Sequence, residues 1–401
     1  MTTRSTVAVT ATGFALIGLG TAPPAILGYL GALVRTDLHL SAAALGLVAS
    51  LFYGVTGVGF VVAGRCCDRI GADRAAASAA ALVAVSTIVL ALWPGYGVLL
   101  VTAVLTGTAY AITNVATNVA VSVVAPARSI GFLLGVKTAG VPAVATLVGS
   151  TGPWVARGIG WNGLAGVVGG LTAVAAVVAW RVLPDSGRVV GAETGPPLPR
   201  TFPLLALAPF LTIAGSQPLL SWSAIYLHDV LGVSVSAAGS LAALASLTSI
   251  GALLFVSSYA DRLGAHRRST VVAVSSTVCA GGVALVAGGQ TVGLGLVVVG
   301  IVVGIWTNLV SAGMTHALVV DRAPQRVGTA SGIALSGYYL GALVAPAGFG
   351  YLVDATGGYT AGWLVAAGSL LLASVTYTVV GLVVPLVPHA AATDESVADV
   401  P

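Results

Sequence analysis

The chain has 401 residues, of which 57% are hydrophobic and only 7% are charged, and its mean hydropathy is +1.02. A soluble domain needs a largely polar exterior, so this composition excludes a soluble globular protein and predicts one embedded in a lipid bilayer. The net charge of +4 comes from scattered side chains and gives no reason to expect a nucleic-acid partner.

Twelve apolar segments are long enough to cross a bilayer, which takes about 20 helical residues. The polar, proline- and glycine-rich stretch 184–203 separates the first six from the last six. The sequence therefore predicts an all-α membrane protein of twelve transmembrane helices in two pseudo-symmetric six-helix bundles. The bundles are residues 1–183 and 204–384, joined by a cytoplasmic linker at 184–203 and followed by a cytoplasmic tail at 385–401. The predicted spans are 7–34, 42–64, 75–93, 97–123, 130–153, 163–183, 204–227, 237–257, 269–289, 293–320, 328–352 and 361–384.

The arginines predict the orientation of these spans. Only Arg35 and Arg157 fall on one side of the membrane, whereas all the other arginines fall on the side of the amino terminus and the linker. Positively charged loops are retained in the cytoplasm. We therefore expect a multi-pass protein of the cell inner (plasma) membrane, with both termini in the cytoplasm.

Two loops show that the halves of the chain repeat. The loop after the second span reads GRCCDRIGADR at 64–74, and the loop after the eighth reads SSYADRLGAHR at 257–267. The same offset of 193 positions relates Ser41 to Ser234 and Gly46 to Gly239. Repeated membrane halves are typical of secondary transporters, whose binding site lies between the halves near the midplane.

The loop pattern G-x-x-x-D-R-x-G-x-x-R resembles the signature of the major facilitator superfamily, and the resemblance extends over essentially the whole chain. It departs from that family at three positions: Ser257 replaces the leading glycine of the second loop, and Ala72 and Ala265 replace a usual basic residue. The resemblance implies a two-bundle transporter that works by alternating access and needs only a monomer.

Charged residues of these loops are candidates for a gate. An Asp near a helix end can pair with arginine across the interface between the halves, and that pair must break when this side opens. The predicted gating residues are Asp68, Arg69, Arg74, Asp261, Arg262 and Arg267. The alternative is that such charges only fix the topology, and we prefer it for Arg69, Arg262 and Arg268.

Lys137 is the only lysine of the chain and lies about eight residues inside the fifth span. An ammonium in hydrocarbon costs roughly 3 kcal/mol or more unless it meets water, polar partners or a ligand. At a rise of about 1.5 Å per residue, several amide and aromatic side chains of other spans fall at a comparable depth. The candidate substrate-binding residues are Lys137, Asn114, Asn118, Tyr53, Gln217, Trp306, Asn308, Tyr338 and Tyr339.

No Asp or Glu lies deep in a span, so a cationic substrate would meet only repulsion from Lys137. We therefore expect secondary active or facilitative transport of a small organic anion, monocarboxylate-like, with Lys137 as its anchor. Without an intramembrane carboxylate, Lys137 and His316 are the candidate proton carriers of a symporter. Structural interpretations stand beside these. Lys137 would be bonded to Asn114 and backbone carbonyls or would snorkel into a water-filled cavity, Gln217 would satisfy backbone groups freed by a kink at Pro218, and His316 would be satisfied at a helix end.

The alternative function is proton-coupled efflux of drugs or metabolites. Against it, the fourth span lacks an arginine, and the fifth reads GVKTAGVP at 135–142 instead of the antiporters' G-x-x-x-G-P-x-x-G-G. The sequence places no group of His, Cys, Asp or Glu together at one depth, so it predicts no enzyme activity, metal site or cofactor. The linker and tail are too short for the soluble domain that a sensor usually carries.

Overall fold

The computed structural model describes residues 3–126, 129–184, 201–260, 264–323 and 327–386, and these are almost entirely helical. The helices in chain order are α1 Thr3–Gly20, α2 Ala22–Leu38, α3 Ala42–Ile70, α4 Ala72–Leu92, α5 Tyr96–Val124, α6 Ile130–Thr138, α7 Gly140–Val182, α8 Leu204–Asp229, α9 Val235–Ala260, α10 Ala265–Ala287, α11 Gly289–Val292, α12 Leu294–Arg322, α13 Val327–Thr356 and α14 Thr360–Val383.

These helices make twelve passes within the described residues. Ten helical segments are long and apolar enough to cross a membrane. One of them, Phe132–Val182, makes two passes because the chain reverses at Gly160, whose φ of 76° suits glycine. The remaining pass is α9, whose described apolar part is Val235–Gly251. The prediction of an all-α membrane protein is confirmed, and the count agrees with the twelve predicted spans.

The passes alternate in direction and so define two sides of the molecule. We call the side that holds Val182 and Leu204 the linker side, because residues 184–203 join these two helices. The opposite side, which holds Leu38 and Asp229, is the far side. Helices α1–α7 pack against one another to form the first half, and α8–α14 form the second. The halves meet where α3 contacts α13, α7 contacts α9 and α2 contacts α8.

The internal repeat is visible at the starts of α3 and α9. The Ser41 hydroxyl accepts a hydrogen bond from the Ala44 N–H at 3.1 Å, and the Ser234 hydroxyl accepts one from the Ala237 N–H at 3.3 Å. Both bonds satisfy an N–H group that has no partner within the first turn of its helix. The repeated serines therefore begin equivalent helices in the two halves.

The repeated glycines mark equivalent contacts between the halves. A Cβ on Gly46 of α3 would collide with the carbonyl oxygen of Pro346 in α13. A Cβ on Gly239 of α9 would lie 2.7 Å from the carbonyl oxygen of Gly149 in α7. Small residues let helix backbones approach this closely. The same repeat position thus brings each half against the other.

Candidate functional site

Lys137 occupies the last turn of α6 and is buried, with 1% of its surface exposed. Its Nζ donates hydrogen bonds to the Asn118 Oδ1 at 2.7 Å and the Asn114 Oδ1 at 3.3 Å. The two asparagines are one turn apart on α5, so both amides face the same ammonium. A Cβ on Gly13 of α1 would lie 3.0 Å from the Lys137 Cγ, so the lysine chain packs closely against α1.

No carboxylate balances the charge of Lys137 in the part of the chain that the structure describes. The ion pairs found there are Arg35–Asp229 and Arg268–Asp321, both near helix ends. An ammonium has three N–H donors, and the two asparagine amides accept two of them. Among the described residues, neutral dipoles alone therefore meet the positive charge, and one N–H donor of the ammonium is left for a further acceptor.

Two cavities lie between the halves. The central cavity has a volume of about 230 Å³, and its lining includes the aromatic side chains of Phe52, Tyr53, Tyr110 and Trp222. The linker-side cavity is larger, about 630 Å³, and its lining extends to Val319 near the linker-side end of α12. The two cavities share the lining residues Asn308, Leu309, Tyr338 and Tyr339. They therefore meet near the middle of the molecule.

The predicted substrate-binding residues divide between these cavities. Tyr53 and Gln217 line the central cavity. Asn114 and Asn118 line the linker-side cavity, with Lys137 bonded behind them rather than in the lining. Asn308, Tyr338 and Tyr339 line both cavities.

Trp306, the remaining predicted substrate-binding residue, lies away from both cavities. Its side chain is 38% exposed and its Nε1 donates to the Thr248 hydroxyl at 3.0 Å, and it lines neither cavity. Depth along a span sets the level of a residue but not the face of the helix that carries it. The expectation that Trp306 forms a wall of the site is therefore corrected.

The predicted gating residues are only partly described. Asp261 and Arg262 lie outside the described residues, as do the side chains of Asp68 and His316. Arg69, Arg74 and Arg267 are exposed and take part in neither of the ion pairs found among the described residues. The linker side holds an ion pair that the sequence did not indicate, between Arg268 and Asp321. The Arg268 Nη1 donates to both carboxylate oxygens of Asp321 at 3.0 Å.

Several hydroxyl groups were also missed by the sequence reasoning. The Ser216 hydroxyl donates to the Asn308 Oδ1 at 2.7 Å. Ser311 and Thr315 line the linker-side cavity below Asn308. Asn308, Ser311 and Thr315 follow one another at intervals of three and four residues, which places their side chains on one face of α12. The spacing in the sequence could have revealed this row of polar side chains on α12, but it could not have revealed Ser216 of α8 as the partner of Asn308.

The far side is held together by polar contacts between the halves. The Arg35 Nη1 donates to the Asp229 Oδ2 at 3.0 Å and to the Tyr359 hydroxyl at 3.2 Å. The Tyr359 hydroxyl in turn donates to the Asp229 Oδ2 at 2.7 Å. Burial and the adjacent Asp229 carboxylate raise the pKa of Tyr359, so its phenol keeps the proton that it donates.

Two further contacts fasten α3 and α9 on the same side. The Asp354 carboxylate of α13 accepts hydrogen bonds from the Ala42 N–H at 3.0 Å and the Ala43 N–H at 2.7 Å. The first turn of α3 is thus capped by a negative charge from the other half. The Arg157 Nη2 of α7 donates to the Ser236 hydroxyl of α9 at 2.8 Å.

The described residues make twelve passes in two packed halves, with a polar site between them. The chain belongs to the Major Facilitator Superfamily, whose family model matches residues 7–346, and this membership indicates a membrane transporter rather than an enzyme. Among functionally curated proteins, no sequence matches the chain.

Solved structures share the fold at low sequence identity. The xylose transporter XylE from E. coli, in an inward open conformation, is 14% identical with a TM-score of 0.75, over 96% of this chain and 97% of that one. The nucleoside transporter NupG is 15% identical with a TM-score of 0.73, over 92% and 99%. A bacterial homolog of the human lysosomal transporter Spinster, inward-facing and unoccupied, is 16% identical with a TM-score of 0.71, over 95% and 98%. At these identities the likeness concerns the fold alone.

Proposed function

We propose that the protein transports a small organic anion, with Lys137 as the group that attracts its charge. One observation carries this proposal: Lys137 is 1% exposed, and among the described residues it is bonded only to Asn114 and Asn118, which line a cavity of about 630 Å³. A buried charge without an opposite charge is unfavourable. An anion in this cavity would supply the missing negative charge and could replace one amide as the partner of the ammonium.

The arrangement of the cavities supports transport by alternating access. The halves are fastened together on the far side by the contacts of Arg35, Asp354 and Arg157. On the linker side, the larger cavity extends to Ser331, four residues from the start of α13. With the linker side in the cytoplasm, as the arginines predict, this is an inward-facing state. Transport then requires the far-side contacts to break while the linker side closes.

A ligand screen on the purified protein tests the proposal. A ligand that binds only the folded state stabilises it by about 2.7 kcal/mol at a concentration of 100 times its Kd. We expect small carboxylates to raise the thermal stability of the wild type, with a much smaller effect on Lys137→Gln. Arg181→Gln is the matched control, because it removes the same charge from an exposed residue in the last turn of α7. If carboxylates stabilise the wild type and Lys137→Gln equally, Lys137 is not the anion anchor.

Efflux of drugs or metabolites is the second candidate, and the central cavity favours it. Four of its lining residues, Phe52, Tyr53, Tyr110 and Trp222, offer aromatic surface to a neutral or weakly polar compound. Such a compound would bind without the charge of Lys137. The same screen separates the two functions: cationic or neutral drugs that stabilise wild type and Lys137→Gln alike, with no effect of carboxylates, would overturn anion transport and favour efflux.

A further inference from the structure

The linker-side cavity has two chemically different walls. The first half contributes the amides of Asn114 and Asn118, with the Lys137 ammonium bonded behind them, and the Thr138 hydroxyl, which donates to the Leu134 carbonyl of its own helix. The second half contributes the Asn308 amide and a group of hydroxyls that includes those of Thr212, Ser311, Thr315 and Tyr377. Within the described ranges, no charged side chain lines this cavity. A ligand that fills it therefore meets an electropositive wall on one side and a hydroxyl-bearing wall on the other.

Ser311 stands apart from the other hydroxyl residues of this wall. It is 1% exposed and lines the cavity, and its Oγ has no hydrogen-bond partner among the residues that the structure describes. The neighbouring hydroxyls are bonded: that of Thr212 donates to the Ala208 carbonyl at 2.9 Å, and that of Thr315 lies 2.8 Å from the Tyr377 hydroxyl. Buried hydroxyl groups are almost always paired in folded proteins. The unpaired Ser311 hydroxyl therefore points to a polar group of a ligand.

The bonds within this wall also decide which polar group suits it. A hydroxyl has one proton and two lone pairs. The Thr212 hydroxyl donates to the Ala208 carbonyl at 2.9 Å and the Thr315 hydroxyl to the Ser311 carbonyl at 2.7 Å, so the Tyr377 hydroxyl donates to Thr315. Each threonine oxygen keeps at least one lone pair that can accept a further hydrogen bond. A carboxylate, which only accepts, gains little there, whereas a ligand hydroxyl both donates and accepts. A ligand ammonium would also donate, but no described carboxylate lines the cavity to balance its charge.

We propose that the linker-side cavity binds a polyhydroxylated carboxylate, a sugar acid in chemical class. Its carboxylate lies at Asn114 and Asn118 in front of Lys137, and its hydroxyls meet Ser311 and the neighbouring hydroxyl groups. This proposal rests on the anion function proposed above and narrows it from monocarboxylates in general to hydroxylated ones. The volume of about 630 Å³ is within the range of about 300–1,000 Å³ that is usual for ligand sites.

Four probes built on one six-carbon chain separate the contributions of the two walls. Gluconate carries a carboxylate and hydroxyls, hexanoate the carboxylate alone, sorbitol the hydroxyls alone, and 6-aminohexanoate a carboxylate and an amine. The binding of each to the full-length protein in lipid nanodiscs is measured by isothermal titration calorimetry. We expect gluconate to bind at least about tenfold more tightly than each of the other three, since it alone satisfies both walls.

Ser311→Ala tests the hydroxyl wall directly. We expect it to weaken gluconate binding by about five- to tenfold and to leave hexanoate binding unchanged. Ser336→Ala is the matched control: Ser336 is an exposed serine of α13 that bonds to its own helix and lines neither cavity. The wild-type comparison of gluconate with hexanoate is decisive even if Ser311→Ala does not fold.

The outcomes distinguish this proposal from the anion function. Equal binding of hexanoate and gluconate, with both lost in Lys137→Gln, would keep the anion function and overturn the hydroxyl preference. Tighter binding of 6-aminohexanoate, or no binding of gluconate, would overturn the hydroxyl preference as well. Binding of gluconate that is undiminished in Lys137→Gln, or matched by sorbitol, would instead contradict the anion function itself.

Discussion

Replacing Asp354 by asparagine should shift the protein towards a state that is open on the far side. The Asp354 carboxylate accepts two backbone N–H bonds, from Ala42 at 3.0 Å and Ala43 at 2.7 Å, and it is the negative charge at the start of α3. Both bonds cross between the halves, so they stabilise only the closed far side. Asparagine keeps one acceptor oxygen but places an N–H₂ group against the second N–H.

The size of the shift follows from this geometry. Hydrogen bonds to charged groups contribute about 1.5–3 kcal/mol when buried. Asp354 is exposed, and solvent reduces such contributions to about 1 kcal/mol or less. A loss of about 1 kcal/mol lowers the ratio of closed to open far sides about fivefold.

Distances between spin labels on the two halves measure this ratio. Trp93 and Thr291 are exposed far-side residues of the first and second halves, so labelled cysteines at these positions report far-side opening. The matched control is Asp37→Asn, because Asp37 accepts its bond from Trp161 of the same half, at 2.9 Å. An unchanged distance distribution in Asp354→Asn, or an equal shift in Asp37→Asn, would refute this account of the far side.

Two further changes test the packing and the charge of the interface. Gly46→Ala should slow transport and lower the thermal stability, because its Cβ would collide with the Pro346 carbonyl. The control is Gly332→Ala, which has open space around its Cβ position and should change neither property. Equal effects of the two substitutions would contradict the close approach of α3 and α13. Tyr359→Phe should lower the melting temperature by the same amount at about pH 6 and pH 8. Because the pKa of Tyr359 is raised above its ordinary value of 10.0, the contribution of its phenol is complete below that pH and is lost only as the pH rises beyond it. A difference between pH 6 and pH 8 would mean that another group controls the contact with Asp229.

The sequence was sufficient for the passes and for part of the site. Hydropathy locates the spans because each must supply about 20 apolar residues, whatever its neighbours are. Lys137 and the asparagines Asn114 and Asn118 lie in adjacent spans, and simple counting of depth brings them to one level. The structure joins them by hydrogen bonds of 2.7 and 3.3 Å.

Other features depend on how the helices are rotated and arranged, which depth does not reveal. Trp306 lies at the expected level, but its face of α12 is turned away from both cavities. The far-side cluster joins Arg35 to Asp229, which are separated by 194 positions, and only the packing of α2 against α8 brings them together. Ser311 is one of many hydroxyl residues in the chain, and the absence of a partner becomes visible only in the folded structure.

The most direct test of the central proposal is the flux of a carboxylate into proteoliposomes that contain the wild type, Lys137→Gln or Lys137→Arg. The carboxylate is the one that binds the wild type most tightly, and Arg181→Gln serves as the exposed charge control. We expect flux to be lost in Lys137→Gln, partly retained in Lys137→Arg, which keeps the charge in a larger group, and unchanged in Arg181→Gln. Undiminished carboxylate flux through Lys137→Gln would contradict the role of Lys137 as the anion anchor.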